Sequence, residues 1–100
     1  MLLVAGTFRI QPEDRDAAVA AMQWMMAETA KEDGCVSYTF SADLSDPAVF
    51  HLFEEWDSDA HLQAHFVAPH MPEFQAKLQD LGPIVRSLDR YDDPTKAPLG

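Results

Sequence analysis

Two residues of one predicted strand combine a carboxylate with an aromatic ring. Glu54 and Trp56 lie two positions apart in the apolar run from 48 to 56, so strand alternation places both side chains on one face of a sheet. A carboxylate beside an aromatic ring can position or deprotonate a phenol. The alternative is structural, with Trp56 in the core and Glu54 paired with an arginine such as Arg9 or Arg86.

His65 is the second candidate, and it lies on a helix predicted over residues 59–67. Because imidazole changes its charge near neutral pH, a histidine is a natural proton acceptor. The alternative is a histidine that lies on the helix surface or caps the helix. Tyr38, on the apolar face of a strand predicted over 35–42, could hydrogen-bond a substrate oxygen, or could be a core residue with its hydroxyl at the rim.

The histidine spacing bears on a metal site. His61 and His65 lie four residues apart, so one face of the predicted helix carries both, and such a pair can hold a metal ion. The stretch has no Glu general base, and its third ligand would have to be His51, His70 or a carboxylate. With one cysteine, Cys35, and no glycine-rich phosphate loop, we predict neither a metal nor an organic cofactor.

Length and charge limit the partners. The 100 residues suit one domain, and 17 Asp and Glu against 7 Lys and Arg give a net charge of −10. An acidic surface argues against binding to nucleic acid or to anionic lipid. No apolar stretch approaches the roughly 20 residues that span a bilayer, and the N-terminal run lacks the basic residues of a signal peptide. We therefore expect a cytoplasmic protein.

The hydrophobic pattern predicts the element order β-α-β-β-α-β. Strands are predicted at 2–10, 35–42, 48–56 and 84–91; a first helix begins at Pro12 and stops at Gly34, and Pro69 divides a second helical region into 59–67 and 71–81. This is a ferredoxin-like α+β domain, an antiparallel four-stranded sheet with its helices on one face. The domain covers residues 1–91, and 92–100 form a loose tail. The uncovered sheet face favours a homodimer.

Residues 34–74 carry an ordered set of motifs. They are, in order, Gly34-Cys35, Tyr38, Asp46-Pro47, Phe50, Glu54-Glu55-Trp56, Ser58, Leu62, His65, His70 and Phe74. The set resembles the antibiotic-biosynthesis monooxygenase family. Members typically show Gly-Cys, a tyrosine three positions on, Asp-Pro before the third strand, Glu-x-Trp at its end and Leu-x-x-His on the next helix. With the flanking elements, the resemblance covers about residues 2–91.

The resemblance implies a dimeric α+β barrel in which two four-stranded sheets face each other. Well-studied members oxygenate polyphenolic or quinol substrates with molecular oxygen, without a metal or flavin. Other branches degrade haem, using an Asn in the first strand and a Trp at the position aligned with His65. Thr7 and His65 stand at those positions here, so the haem-degrading branch fits poorly.

We therefore expect a cofactor-independent monooxygenase that oxidises a small aromatic, polyphenol or quinol-type substrate with O2. His65 or Glu54 would take a phenolic proton, and the substrate-binding residues would be Trp56, Tyr38, Phe74, His70 and Met22. The methionines of the first helix could line this pocket or simply fill the core. Two alternatives stay open: a non-catalytic small-molecule-binding or stress-response dimer, and a cofactor-free isomerase or decarboxylase.

Overall fold

The computed structural model describes all 100 residues and has the predicted ferredoxin-like α+β fold. Its elements are β1 (Leu2–Arg9), α1 (Arg15–Thr29), β2 (Cys35–Ala42), β3 (Val49–Trp56), α2 (Asp59–Phe66), α3 (His70–Gln79) and β4 (Val85–Asp92). The four strands form one antiparallel sheet in the order β2-β3-β1-β4. The three helices cover one face of this sheet, and none is long and apolar enough to cross a membrane.

Local sequence explains where the helices begin and end. Pro12 opens a short 3-10 turn, Pro12–Asp14, and the α-helical hydrogen bonding of α1 starts only at Arg15, later than the sequence pattern indicates. Gly34 adopts a φ of 77°, a left-handed conformation that glycine tolerates well, and so turns the chain from α1 into β2. The hydroxyl of Ser58 accepts a hydrogen bond from the backbone N–H of His61 and caps α2.

The predicted alternation along β3 is confirmed. Phe50, Leu52, Glu54 and Trp56 are buried under the helices, while the residues between them are more exposed. The helix-covered face holds two hydrophobic clusters. A larger one is built around α1 and the middle of the sheet, and a smaller one contains Leu2, Val4, Trp56 and Leu62.

Two apolar residues do not point inward: Val36, which strand alternation places on the same face as Tyr38, and Phe66, an apolar residue of α2. Val36 is 53% exposed because the β2–β3 register shifts between Cys35 and Ser37, and such a bulge re-aims the side chains on one side of it. Cys35 packs against the smaller cluster instead. Phe66 is 52% exposed, and the inward position of that helical turn belongs to His65.

The face of the sheet away from the helices keeps apolar side chains at its surface. Phe53 lies in its middle, opposite Ala5 and Thr39, and is 43% exposed; Tyr91 and Val85 on β4 are 50% and 66% exposed. After Asp92 the chain has no regular structure. Lys96 of this segment reaches back to Glu55 at 3.2 Å.

Candidate active site

Two histidines from different helices share one carboxylate oxygen. Oε2 of Glu32 lies 2.6 Å from Nδ1 of His65 and 2.7 Å from Nε2 of His70. Because a carboxylate oxygen can only accept, each imidazole presents an N–H to it. The side chains are 3% exposed at His65, 12% at His70 and 13% at Glu32, so the group opens to solvent mainly along Glu32 and His70.

Short turns bring these three residues together. Glu32 follows the C-terminal end of α1, where its N–H donates to the carbonyl of Thr29. His65 lies in the last turn of α2, on the buried side with Leu62. Only residues 67–69 separate α2 from α3, and Pro69 cannot continue the α2 helix. His70 therefore begins α3 within reach of the same carboxylate.

Aromatic rings enclose His65. The centroid of its ring lies 4.9 Å from that of Trp56 and 5.5 Å from that of Tyr38, and Trp56 is fully buried. His65 itself is 2% exposed and its Nδ1 bonds Glu32 rather than the end of its own helix, so the interpretation as a surface or capping histidine is wrong. Its ring is instead held between an apolar wall and the Glu32 carboxylate.

The second ring nitrogen of His65, Nε2, has no hydrogen-bond partner. Only Nδ1 of the ring is engaged in a hydrogen bond, whose partner is Glu32. The hydroxyl of Thr29 is the one fully enclosed side-chain polar atom that has no partner. Nε2 of His65 also has no hydrogen-bond partner, and since it is not among the fully enclosed atoms, part of it faces open space.

Glu54 and Trp56 interact directly. The indole N–H of Trp56 donates to Oε1 of Glu54 at 2.9 Å, and Glu54 is 5% exposed. The proposed arginine partner is not there, since Arg9 pairs with Asp46 instead and no arginine contacts Glu54. Burial raises the pKa of the Glu54 carboxyl and the negative charge of Glu32 adds to this, while the Trp56 hydrogen bond and the charge of His65 oppose it.

Tyr38 keeps its hydroxyl proton at neutral pH. Burial raises the pKa of its hydroxyl well above the usual range, and the negative charges of Glu54 and Glu32 raise it further. Burial also raises the pKa of the Cys35 thiol, with the same two carboxylates as further causes. Tyr38 is thus suited to donate a hydrogen bond to a substrate oxygen, and Cys35 is not an activated nucleophile.

The structure brings together five of the seven site residues predicted from sequence: His65, Glu54, Trp56, Tyr38 and His70. The other two, Met22 and Phe74, belong to the larger hydrophobic cluster. The Phe74 ring lies 6.2 Å from Phe40, which is in turn 5.7 Å from Tyr38, and Met22 lines a groove of about 180 Å³ between α1 and the sheet. Met22 and Phe74 therefore contact Phe40, which separates them from the polar group formed by Glu32, His65 and His70.

Sequence reasoning missed Glu32, the residue that organises both histidines. One signal was available. An acidic side chain just after the C-terminal end of a helix meets the negative end of the helix dipole, so it needs a compensating partner elsewhere. The spacing of His61 and His65 does not indicate a shared site. Nδ1 of His61 bonds to the Ser58 hydroxyl, and its Nε2 faces Asp33 at 3.6 Å.

Comparison with known proteins identifies the family. Residues 1–77 match the family model described as antibiotic biosynthesis monooxygenase. The chain belongs to this family. The matched range includes β1 to β3, all of α2 and every residue of the polar group around His65.

Two curated proteins and one solved structure are similar to this monooxygenase-family chain. The protein sll1783 of Synechocystis sp. is 34% identical over 80 residues, 80% of this chain, which spans only 54% of that relative. A protein of Escherichia coli K12 named Probable quinol monooxygenase YgiN is 30% identical over 84 residues, covering 74% of this chain and 81% of its own. A crystal structure from Deinococcus radiodurans shares the fold, with a TM-score of 0.90 at 24% identity over 100% and 99% of the two chains.

Proposed function

We propose that this protein is a cofactor-independent monooxygenase that oxidises a small aromatic, polyphenol or quinol-type substrate with O2. The observation that carries the proposal is His65, buried against Trp56 and Tyr38, with Nδ1 bonded to Glu32 and Nε2 free. Family membership and the similarity to a protein named for quinol oxidation support the same reaction class.

In the proposed first step, Nε2 of His65 takes a phenolic proton from the substrate. The imidazole becomes positively charged, and the carboxylate of Glu32 at 2.6 Å stabilises that charge, as a carboxylate does for the histidine of a catalytic triad. Tyr38 donates a hydrogen bond to the substrate oxygen. The buried rings exclude water, which strengthens each of these interactions.

The resulting anion is electron-rich and reacts with O2 directly. One oxygen atom enters the product, the other leaves as water, and the substrate supplies all the electrons for both. A benzene-type quinol gains one oxygen atom and loses two hydrogen atoms to become a hydroxyquinone. The two hydrogens leave with the second oxygen as water, so the reaction balances without an external reductant. His65 returns its proton to the departing oxygen, which restores the site after each turnover.

Glu54 serves as a positioning residue in this scheme. Its hydrogen bond to the Trp56 indole at 2.9 Å holds that ring against His65. His70 holds the other lone pair of Glu32 Oε2 and lies at the more open side of the group, where it can contact substrate. Phe74 and Met22 would reach a substrate only from the neighbouring cluster.

The proposal includes a homodimer formed through the open sheet face. Exposed Phe53 and Tyr91 lie on this face, and a second copy facing it would remove their side chains from water. We also place the protein in the cytoplasm, in keeping with a single cysteine that has no partner for a disulfide.

The test is oxygen uptake with a panel of hydroquinones, comparing the wild type with His65→Asn. The Asn amide can still donate to Glu32 but cannot accept a proton as imidazole does, so we expect turnover to fall by roughly 10²–10⁴-fold. The matched control is His61→Ala, one helical turn away, whose ring bonds Ser58 rather than Glu32. Full activity of His65→Asn would disprove the assignment, and tight ligand binding without oxygen uptake would favour a non-catalytic binding dimer.

A further inference from the structure

We propose that Glu32, His65 and His70 form a binding site for a divalent transition-metal ion of the zinc type, and that a metal bound there inhibits the protein. The binding is inferred from geometry alone. The inhibition rests on the proposed function, in which His65 must accept a proton.

The ligand atoms converge from three separate parts of the chain. One carboxylate oxygen of Glu32 and one nitrogen each of His65 and His70 all lie within 4.8 Å of one another. Two imidazoles and a carboxylate form the donor set of many catalytic zinc sites, which leave a further coordination position open to water or substrate. The sequence separations of 33 and 38 residues mean that the fold, rather than helix periodicity, assembles the set.

Only a small adjustment is needed to admit an ion. With bonds of about 2.0–2.2 Å and tetrahedral angles, neighbouring ligand atoms lie roughly 3.3 Å apart. The present separations from Glu32 are 2.6 Å to His65 and 2.7 Å to His70. The side chains of Glu32 and His70 are 13% and 12% exposed, so they are free to move apart to the longer ligand separation. The same opening offers an ion a path from solvent.

The surrounding charge favours a cation. Glu54 is a second buried carboxylate close to the group. No lysine or arginine pairs with either carboxylate, because the ion pairs of those residue types lie elsewhere: Arg9–Asp46, Lys31–Glu28, Arg90–Asp59, Arg90–Asp92 and Lys96–Glu55. The Glu32 carboxylate accepts hydrogen bonds only from two imidazole N–H groups, and a metal ion can replace those protons.

Metal binding removes the proposed base. A neutral imidazole has one nitrogen with a free lone pair and one that carries hydrogen. If the metal takes the lone pair at Nδ1 of His65, the hydrogen must sit on Nε2, which then cannot accept a proton from a substrate. The metal also occupies Glu32, so the charge that stabilises the imidazolium is lost at the same moment.

Calorimetric titration of metal-free, full-length protein with Zn²⁺ tests the binding, and visible absorption of added Co²⁺ reports the coordination. We expect one ion per chain. His70→Ala should weaken zinc at least about 100-fold, since loss of even an outer-shell partner costs roughly 10–100-fold. His70 is the first residue of α3 and partly exposed, so the variant should fold, and thermal melting checks this. His61→Ala is the matched control and should bind as the wild type does.

Each outcome decides one part of the proposal. Equal zinc affinity of the wild type and His70→Ala would mean an adventitious ion only, and no binding at all would mean that there is no site. Either result overturns the metal site and leaves the proposed cofactor-free turnover untouched. Stoichiometric zinc that His70→Ala loses, together with undiminished quinol oxidation by the zinc-bound wild type, would establish the site but overturn His65 as the base. Loss of turnover on zinc binding, restored by a chelator, supports both.

Discussion

Replacement of Glu32 by glutamine separates the charge of this residue from its hydrogen bonds. The amide oxygen of Gln can accept from both imidazoles as Oε2 does now, at 2.6 and 2.7 Å. The variant removes only the negative charge beside His65. If His65 becomes an imidazolium during turnover, Glu32→Gln should slow turnover and leave the fold intact.

The size of the effect follows from the geometry. Unit charges about 4 Å apart interact by roughly 4 kcal/mol at an effective dielectric constant of about 20, an upper value for this pair. A hydrogen bond to a charged group is worth about 1.5–3 kcal/mol. At about 1.36 kcal/mol per tenfold in rate, these values predict a loss between roughly 10-fold and 10³-fold in kcat.

Stability should respond differently to two substitutions at this position. Glu32→Gln should change the free energy of unfolding by less than about 1 kcal/mol, because a neutral amide costs less to bury than a carboxylate and still accepts both bonds. Glu32→Ala leaves the N–H of buried His65 without a partner, which costs about 1–3 kcal/mol. Urea denaturation measures both, and oxygen uptake on a confirmed quinol measures kcat.

Glu28→Gln is the control for Glu32→Gln. Glu28→Gln removes a carboxylate one turn earlier that pairs only with exposed Lys31, so turnover and stability should stay close to those of the wild type. If Glu32→Gln keeps kcat within about twofold of the wild type on a substrate that His65→Asn no longer oxidises, the carboxylate does not stabilise an imidazolium and the base step is wrongly drawn.

Two further predictions concern pH and assembly. Burial raises the pKa of Glu54, so the folded state holds this proton more tightly than the unfolded chain; the wild type should therefore lose stability relative to Glu54→Gln as pH rises above the unfolded value of 4.5. Urea titrations at a series of pH values measure the difference, and a pH-independent difference would contradict the prediction. Light scattering should give about twice 11.2 kDa for the wild type, and Phe53→Glu, which puts like charges face to face across the open sheet, should give a monomer. A dimer that persists in that variant would show that the open face is not the interface.

The secondary structure could be predicted from the sequence because its signals are local. Alternation along β3, the turn residues and the prolines place the strands and helices close to their observed bounds, and alternation alone puts Glu54 and Trp56 on one face. The motifs from Gly34 to Phe74 also indicate the family that the comparison identifies. Val36 departs from its pattern because a bulge depends on the partner strand, which local alternation does not describe.

The candidate site was decided by tertiary structure. Periodicity on α2 favours His61 as the neighbour of His65, yet the partner of His65 is Glu32, 33 residues away, and His70 joins through another helix. Helix periodicity describes only contacts within one element, whereas these bonds depend on how the turn after α1 packs against the start of α3. Burial of His65 has the same origin: the sequence supplies the imidazole, and the packing of α2 on Trp56 removes it from water and gives it a carboxylate.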